Sequence, residues 1–316
     1  MKQLRETAQK IKSMEIRGAG RIARTAAAEL RDYAQRQRTG NLDEFNEKMK
    51  KAAELLVSTR PTAVSLPNAV RAVMRYSGET VDEAAADMRK LADEFIANSE
   101  NAVKRIGEIG ARRVRDGDTI MTHCNSSAAI SIMATAHAEG KDIKVIATES
   151  RPRLQGHLTI GHLDRLGIKT SLIVDSAVRF FMKEVDLVVV GADAVTVNGS
   201  VINKIGTSQL ALAAREARKN VIIAAETYKF SPKTILGELV EIEERDSSEV
   251  IDREILDKFP NVSVKNPAFD VTPREYVDLI CTEVGAIPPE MAYIIIKDFL
   301  GWGIEEMNSG WKEYKE

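Results

Sequence analysis

The sequence is poor in the residues that build metal centres and dithiol sites. It contains two cysteines, Cys124 and Cys281, and they do not form a Cys-x-x-Cys pair. Its four histidines show no His-Glu-x-x-His or similar ligand spacing. Zinc and dithiol motifs depend on such spacings, so this pattern argues against a metal site. We expect an activity that needs neither a metal nor a redox cofactor.

A large excess of charge of one sign is also absent. Lysine and arginine total 45 and aspartate and glutamate total 47, which gives a net charge of −2. Proteins that bind nucleic acid need clustered basic residues to displace counterions from the phosphate backbone. The balance of charge therefore indicates that nucleic acid is not a partner.

Long hydrophobic runs are missing as well. The apolar runs at residues 187–190 and 221–225 are far shorter than a membrane-spanning helix. The N-terminal Met-Lys-Gln-Leu-Arg-Glu has no apolar segment of the kind that a signal peptide carries. With 44% hydrophobic and 29% charged residues, the composition is typical of a globular protein. We expect a cytoplasmic protein that makes no membrane contact.

A chain of 316 residues is long enough for roughly two domains, and its two parts differ in pattern. Between residues 4 and 114, apolar residues recur at three- and four-residue spacing, as Leu91 and Phe95 do, and alanine is frequent. Both features are typical of helices. We predict an N-terminal helical domain over residues 1–115, acting as a mobile lid, and a second domain over residues 116–316.

After residue 118 the pattern changes to short apolar runs separated by segments long enough for helical crossovers. The runs lie at residues 119–122, 143–147, 171–174, 187–190 and 221–224. This alternation predicts an α/β fold, a Rossmann-like, doubly wound and mainly parallel sheet with strand order 3-2-1-4-5. A weaker run at 239–242 is an edge strand at best, and 278–282 predicts a final strand before Pro288 and Pro289 open the last helix.

Two reactive side chains follow neighbouring strands of this predicted sheet. The first strand leads to Cys124 and the fourth to Asp193. Ligands of doubly wound sheets bind beyond the carboxyl ends of the strands, where the strand order reverses. A helix after Cys124 would direct its positive dipole end at the thiol, lower the pKa of the thiol and attract anions. The alternatives are a small core cysteine and an aspartate that caps a turn.

Several cations lie beside interruptions of the helical and strand patterns. In the segment 198–207 a polar turn leads into a helix with Lys204 near its start, which predicts amide donors and a point charge for phosphate. Lys229 follows the fifth strand, Arg17 precedes Gly18-Ala19-Gly20, and Arg60 precedes a proline. A solvated surface side chain or a plain helix break explains any one of them. Together they indicate a site for more than one phosphate.

At these residues the chain resembles a known family. The family comprises archaeal ribose-1,5-bisphosphate isomerases, methylthioribose-1-phosphate isomerases and the alpha, beta and delta regulatory subunits of the guanine-exchange factor for translation initiation. The matching stretches run in order over nearly the whole chain, at residues 16–20, 59–65, 121–125, 149–156, 191–195, 203–207 and 266–273.

The resemblance implies an aldose–ketose isomerase. The isomerases of the family carry a cysteine and an aspartate at the positions of Cys124 and Asp193, and the regulatory subunits generally lack them. The stretch 17–20 and the run 61–68 are more similar to the bisphosphate enzymes. The implied reaction converts α-D-ribose 1,5-bisphosphate to D-ribulose 1,5-bisphosphate in AMP degradation. We hypothesise that Asp193 is the acid and the Cys124 thiolate the base of a path through a cis-phosphoenolate.

The resemblance also implies a set of substrate-binding residues and an assembly. One departure is Ser127, where the bisphosphate enzyme can carry a lysine. The implied assembly is a homohexamer built as three dimers, and AMP is an implied activator without an assigned residue. The alternatives are methylthioribose-1-phosphate isomerase and a non-catalytic regulatory subunit. The implied substrate-binding residues are Arg17, Gly18, Ala19, Gly20, Arg60, Ser126, Ser127, Ala128, Asn203, Lys204 and Lys229.

Overall fold

The computed structural model describes residues 1–16, 18–37, 40–60, 63–232, 234 and 240–301. Contacts divide the described chain into two compact units, Met1–Ala102 and Val103–Gly301. The division falls inside one long helix, Val81–Ala111, whereas the sequence pattern places it after residue 115. The apolar spacing continues unbroken through this helix, so the sequence carries no signal where the contacts change. The lid role of the N-terminal part stays a prediction.

The described residues of the N-terminal unit form helices and no strand, as the apolar spacing predicts. The buried side chains of Leu30, Phe45, Leu56 and Met88 lie in its core. The side chain of Asn41 accepts hydrogen bonds from two backbone amides in the first turn of the third helix, which satisfies donors that a helix start leaves unpaired. The helices are α1 (Lys2–Lys12), α2 (Ala19–Gln35), α3 (Leu42–Val57), α4 (Ser65–Met74) and the first part of α5 (Val81–Ala111).

The second unit is built on a seven-stranded sheet. Its strand order is β10-β9-β7-β4-β1-β2-β3, and every neighbouring pair is parallel except β9 with β10. The predicted order of the five clear strands, and with it the fold class, is confirmed. The strands of the unit are β1 (Thr119–Thr122), β2 (Lys144–Thr148), β3 (Lys169–Ile173), β4 (Leu187–Gly191), β5 (Ala194–Val195), β6 (Val201–Lys204), β7 (Asn220–Ala224), β8 (Phe269–Thr272), β9 (Leu279–Thr282) and β10 (Gly285–Ile287).

Helices cover this sheet and bury its central strands. All residues of β4 are buried, as expected for a parallel strand with both faces covered. The helices of this unit are the last part of α5, then α6 (Ser127–Ala138), α7 (Gly156–Arg165), α8 (Val178–Phe181), α9 (Thr207–Glu216), α10 (Arg253–Leu256) and α11 (Ala292–Ile294), which runs into a π-helical turn at Ile295–Phe299. Within the described ranges, no helix is both long and apolar enough to cross a membrane.

The unit also contains a second, antiparallel sheet with the order β5-β6-β8. The sequence pattern does not predict this sheet. Residues 201–204 form the strand β6, and α9 begins only at Thr207. The prediction that the polar turn leads into a helix with Lys204 near its start is therefore wrong, because Lys204 ends a strand. The strand β6 pairs with β8, which lies far along the chain. A local pattern cannot reveal such a partner. Residues 240–242 form no strand, and Leu239 lies outside the described residues.

The loop after β2 passes so close to the sheet that its last turn has room for glycine alone. A Cβ atom on Gly156 would lie 1.8 Å from the carbonyl oxygen of Thr148. Backbone atoms cannot yield at that distance, so the loop must move if the residue changes. Gly161, within the same helix α7, has no atom within 4 Å of the corresponding position.

We therefore predict opposite effects of two matched substitutions. Gly156→Ala lowers the free energy of unfolding by about 2 kcal/mol or more, because the added methyl group overlaps the backbone. Gly161→Ala raises it by about 0.5–1 kcal/mol, since alanine favours the helix. Urea unfolding of both variants measures the difference. Equal stability of the two variants would contradict the close approach at Gly156.

Candidate functional site

Cys124 lies just beyond the carboxyl end of β1, in an unusual backbone conformation. Its φ is 68°, in the left-handed region that non-glycine residues rarely adopt. The backbone amide of Cys124 donates to Ser150 Oγ at 2.7 Å, and its carbonyl accepts from Thr159 Oγ1 at 2.7 Å. The loop after β2 and the helix α7 therefore hold this conformation from both sides. Such strain persists where the surroundings fix it, which is common at functional sites.

The thiol of Cys124 is protonated in this structure. Burial raises the pKa of Cys124 to about 11, and the charge of Asp193 raises it further, while Lys204 and Arg245 act in the opposite direction. The Sγ atom lies 3.4 Å from Gln155 Oε1, to which the thiol donates. The expectation that a helix start lowers the pKa of Cys124 is thus wrong for the ligand-free protein, because the cost of burying a thiolate exceeds the helix effect.

Asp193 lies close enough to Cys124 for its charge to raise the pKa of the thiol. It follows β4, and its backbone amide donates to Ile202 O at 2.9 Å. A Cβ atom on Gly191, at the end of β4, would lie 2.3 Å from Ser126 Oγ, so the start of α6 packs directly on this strand end. Ser126 caps α6 by accepting from the amide of Ala129 at 3.3 Å. The predicted meeting of the first and fourth strand ends is present, and the catalytic roles stay predictions.

His123 connects the end of β1 to two other segments. Its Nε2 lies 2.8 Å from Ile205 O and its Nδ1 2.6 Å from Thr148 Oγ1. A carbonyl oxygen only accepts, so Nε2 carries the hydrogen and Nδ1 accepts from the threonine hydroxyl. Burial lowers the pKa of His123, which keeps the ring neutral. This histidine is thus a structural link beside Cys124.

Lys204 and Asn203 end the strand β6 and are both buried. Lys204 Nζ donates to Ala268 O at 3.0 Å and lies 4.9 Å from the centroid of the Phe269 ring. Burial lowers the pKa of Lys204. The side chain of Asn203 donates to Thr207 Oγ1 at 2.9 Å, which connects the strand end to the start of α9. Phosphate binding by Asn203 and Lys204 stays a prediction.

The amide donors at the start of α9 already have an acceptor. Asp270 accepts from the backbone amides of Gly206 at 2.7 Å and of Ser208 at 3.1 Å. Burial raises the pKa of Asp270 to about 6. A carboxylate therefore occupies the place that the sequence analysis assigns to a phosphate on these amides. The expectation that these amides are available for phosphate is therefore wrong. No local pattern in residues 198–207 could reveal Asp270, which comes from the distant strand β8.

Lys229 lies beyond the end of β7 in a buried ion pair. Its Nζ is 2.6 Å from Glu226 Oε2, and both side chains are less than one-tenth exposed. Tyr228 donates its hydroxyl hydrogen to Glu226 Oε1 at 3.0 Å. Burial acts to raise the pKa of Glu226, but the charge and hydrogen bond of Lys229 outweigh it and the net pKa is lowered. Lys229 is therefore not a solvated surface side chain, which was the alternative left open by the sequence.

Ser127 and Ala128 form the start of α6, and the remaining predicted residues belong to the N-terminal part of the chain. Gly18 precedes α2 with a φ of 90°, and Ala19 and Gly20 form its first turn. Arg60 Nη1 lies 2.6 Å from Met14 Sδ. Arg17 lies outside the described residues. The thiol, Asp193 and the predicted residues of the sheet unit thus lie at or just beyond the ends of strands. Binding by the N-terminal residues stays a prediction.

Sequence reasoning missed three residues near the thiol. Ser150 and Gln155 follow β2, the neighbour of β1, so the strand-end rule applied to Cys124 and Asp193 would also have found them. Arg245 follows no strand, and no signal in the sequence marks it. Its guanidinium lies 5.8 Å from the centroid of the Phe269 ring.

Comparison with known proteins identifies the family. A family model described as "Initiation factor 2 subunit family" matches residues 15–289. The chain belongs to the initiation factor 2 subunit family. The ribose 1,5-bisphosphate isomerase of Archaeoglobus fulgidus is 60% identical over 97% of this chain and 96% of that protein. The isomerase of the same name from Methanocaldococcus jannaschii is 56% identical over 95% of this chain and 96% of its own length.

Solved structures of the family share this fold. The translation initiation factor eIF-2B of Pyrococcus horikoshii OT3 has a TM-score of 0.79 and 33% identity, covering 92% of this chain and 98% of that one. The 5-methylthioribose 1-phosphate isomerase of the same organism has a TM-score of 0.74 and 32% identity, covering 94% and 87%. The tetrameric eIF2B-beta2-delta2 complex from C. thermophilum has the same fold, with a TM-score of 0.72 and 19% identity, covering 93% of each chain.

The protonated thiol predicts a steep pH dependence of alkylation at Cys124. Iodoacetamide reacts with the thiolate, so its rate constant increases about tenfold for each pH unit from pH 7 to 10 without a plateau, because the pKa of Cys124 is about 11. Mass spectrometry locates the label, and the fully buried Cys281 is the internal control. A plateau below pH 9 would show instead that the start of α6 acidifies the thiol.

Proposed function

We propose that this protein converts α-D-ribose 1,5-bisphosphate to D-ribulose 1,5-bisphosphate. The observation that carries the proposal is that a thiol, a carboxyl and a buried ammonium lie near one another at the ends of strands. The charges of Asp193 and Lys204 act on the thiol of Cys124. Support comes from the identity of 60% to an archaeal enzyme of that name. The sheet unit supplies the acid–base pair, and the helix start at Ser126, Ser127 and Ala128 supplies amide donors for a phosphate.

The chemistry requires an acid and a base at different atoms of the sugar. The phosphate ester on C1 prevents simple ring opening to a free aldehyde. Asp193 donates a proton to the ring oxygen as the C1–oxygen bond breaks, and Cys124 removes the proton from C2. Asp193 then takes the proton of the hydroxyl on C2, and Cys124 returns its proton to C1. Each group ends in the protonation state in which it began.

The raised pKa of Cys124 defines how this cycle begins. A thiol beside a carboxylate and a thiolate beside a carboxylic acid carry the same total charge. Transfer of one proton from Cys124 to Asp193 therefore produces the working pair without moving charge into or out of the crevice. A thiolate formed from such a weak acid is a strong base, which suits removal of a proton from carbon.

Further cations complete the site in this proposal. Asn203 and Lys204 hold one phosphate from the end of β6, and Lys229 adds a charge from the end of β7. Arg17, the stretch Gly18-Ala19-Gly20 and Arg60 contribute from the N-terminal domain, which closes as a lid. Exclusion of water protects an enolate that otherwise risks losing its phosphate.

The alternative substrate is methylthioribose 1-phosphate. That reaction uses the same acid–base pair but needs an apolar pocket in place of a second phosphate site. The relative of this name with a solved structure is 32% identical, well below the bisphosphate isomerases. Offering both sugar phosphates to the purified protein, with identification of the product, distinguishes them. Turnover of methylthioribose 1-phosphate alone would favour the alternative, and turnover of neither would favour a regulatory subunit.

The two catalytic assignments predict a large loss of rate. Cys124→Ser and Asp193→Asn each lower kcat about 10²- to 10⁴-fold, because each removes a group that transfers protons in the transition state. Cys281→Ala is the matched control, since this second cysteine lies in the sheet core, and it retains kcat with a lowered stability. Full activity of Cys124→Ser would contradict the assignment. Steady-state kinetics with separate KM and kcat values provide the measurement.

We also propose a hexamer built as three dimers and activation by AMP. Multi-angle light scattering gives a mass close to a sixfold multiple of 34.9 kDa in this case. A monomer at micromolar concentration would contradict the assembly. AMP added to the assay increases the rate, whereas adenosine, which lacks the phosphate, is the control and leaves it unchanged.

A further inference from the structure

Arg245 is held beside the thiol by the chain segment that follows it. Arg153, in the loop after β2, forms an ion pair with Glu249. Arg151 Nη2, in the same loop, donates to Val250 O at 3.1 Å. Since this loop ends at Gln155, which contacts Cys124 Sγ, the segment 245–250 lies against the same loop that contacts the thiol.

Arg245 shares one aromatic ring with Lys204. The guanidinium carbon lies 5.8 Å and the ammonium nitrogen 4.9 Å from the centroid of Phe269. Lys204 and Phe269 are direct partners across the β6–β8 ladder. The turn after Lys204 is bound to His123 through Ile205 O, so the cations on this ring are adjacent to the backbone that carries Cys124.

Among the described residues, Arg245 forms one ion pair, with Glu243, and Lys204 forms none. Arg245 is 10% exposed at its side chain, and Nε donates to Glu243 Oε1 at 3.2 Å. Its two terminal nitrogens donate no hydrogen bond to any residue in the described part of the chain. Lys204 Nζ donates to one carbonyl oxygen. Burial is the largest cause that lowers the pKa of Lys204, and the charge of Arg245 lowers it further, whereas the charges of Asp193 and Glu243 act to raise it.

We propose that Arg245 binds substrate, holding together with Lys204 the phosphate group nearest to the reacting carbons. The inference rests on the proposed function and extends it to a residue outside the set expected from the sequence. A guanidinium presents a planar fork that fits two oxygens of a phosphate monoester, and a dianion between two buried cations removes their repulsion. Phe269 fixes both cations by its ring face.

Protection of Cys124 from iodoacetamide tests the proposal without need for turnover. Inorganic phosphate is the probe, and the measured quantity is its concentration at half-maximal protection, normalised to the rate of each variant without phosphate. Arg245→Gln raises this concentration about tenfold or more, because a charge-assisted contact is lost. Arg253→Gln is the matched control, since this arginine lies three residues after the segment 245–250 and has an exposed side chain paired to Asp246, and it leaves protection unchanged.

The outcomes separate this inference from the proposed function. Equal protection of wild type and Arg245→Gln overturns the role of Arg245, and so does a wild-type protein that phosphate does not protect. Arg245→Lys keeps the charge but loses the planar fork, so its phosphate concentration at half-maximal protection lies between those of the wild type and Arg245→Gln. This variant replaces Arg245→Gln in the test if the glutamine variant unfolds. Turnover of ribose 1,5-bisphosphate by the wild type reports separately on the proposed function, and Arg245→Gln then raises KM more than it lowers kcat.

Discussion

The two ring nitrogens of His123 carry hydrogen bonds that connect three segments of the chain. One reaches Thr148 at the end of β2, and the other reaches Ile205 in the turn between β6 and α9. The ring also lies against Gly206, where a Cβ atom would be 3.0 Å from it. The φ of 103° at this position also favours glycine. The position of Lys204 relative to Cys124 therefore depends on one neutral, buried imidazole.

The groups of the site are buried ions and polar atoms whose partners come from other segments. Glu226 accompanies Lys229, Asp270 accepts from the start of α9, and Ser150 accepts from the amide of Cys124. Removing a charge from water is costly unless a partner replaces the lost hydration. Each partner thus keeps a reactive group in place without a ligand. The same burial explains why the thiol of Cys124 remains protonated until a proton acceptor is available.

The sheet could be predicted from sequence because its evidence is local. Each parallel strand is a short apolar run, and the strand-end rule placed Cys124 and Asp193 at one edge. The second sheet could not be predicted in this way. Its strand β6 has a polar end at Asn203 and Lys204, and it lies between the two-residue strand β5 and the distant strand β8. For the same reason the partners Asp270 and Arg245, which come from distant segments, were beyond any local pattern.

In the proposed site, the ion pair between Lys229 and Glu226 would make phosphate binding a competition. An arriving phosphate reaches Lys229 only by weakening an attraction to a carboxylate that is already 2.6 Å away. Affinity is then the difference between two interactions rather than the strength of one, and a ligand with a single negative charge gains little from the exchange. If Lys229 binds phosphate as proposed, discrimination between singly and doubly charged ligands would be a property of the resting protein, present before any ligand arrives.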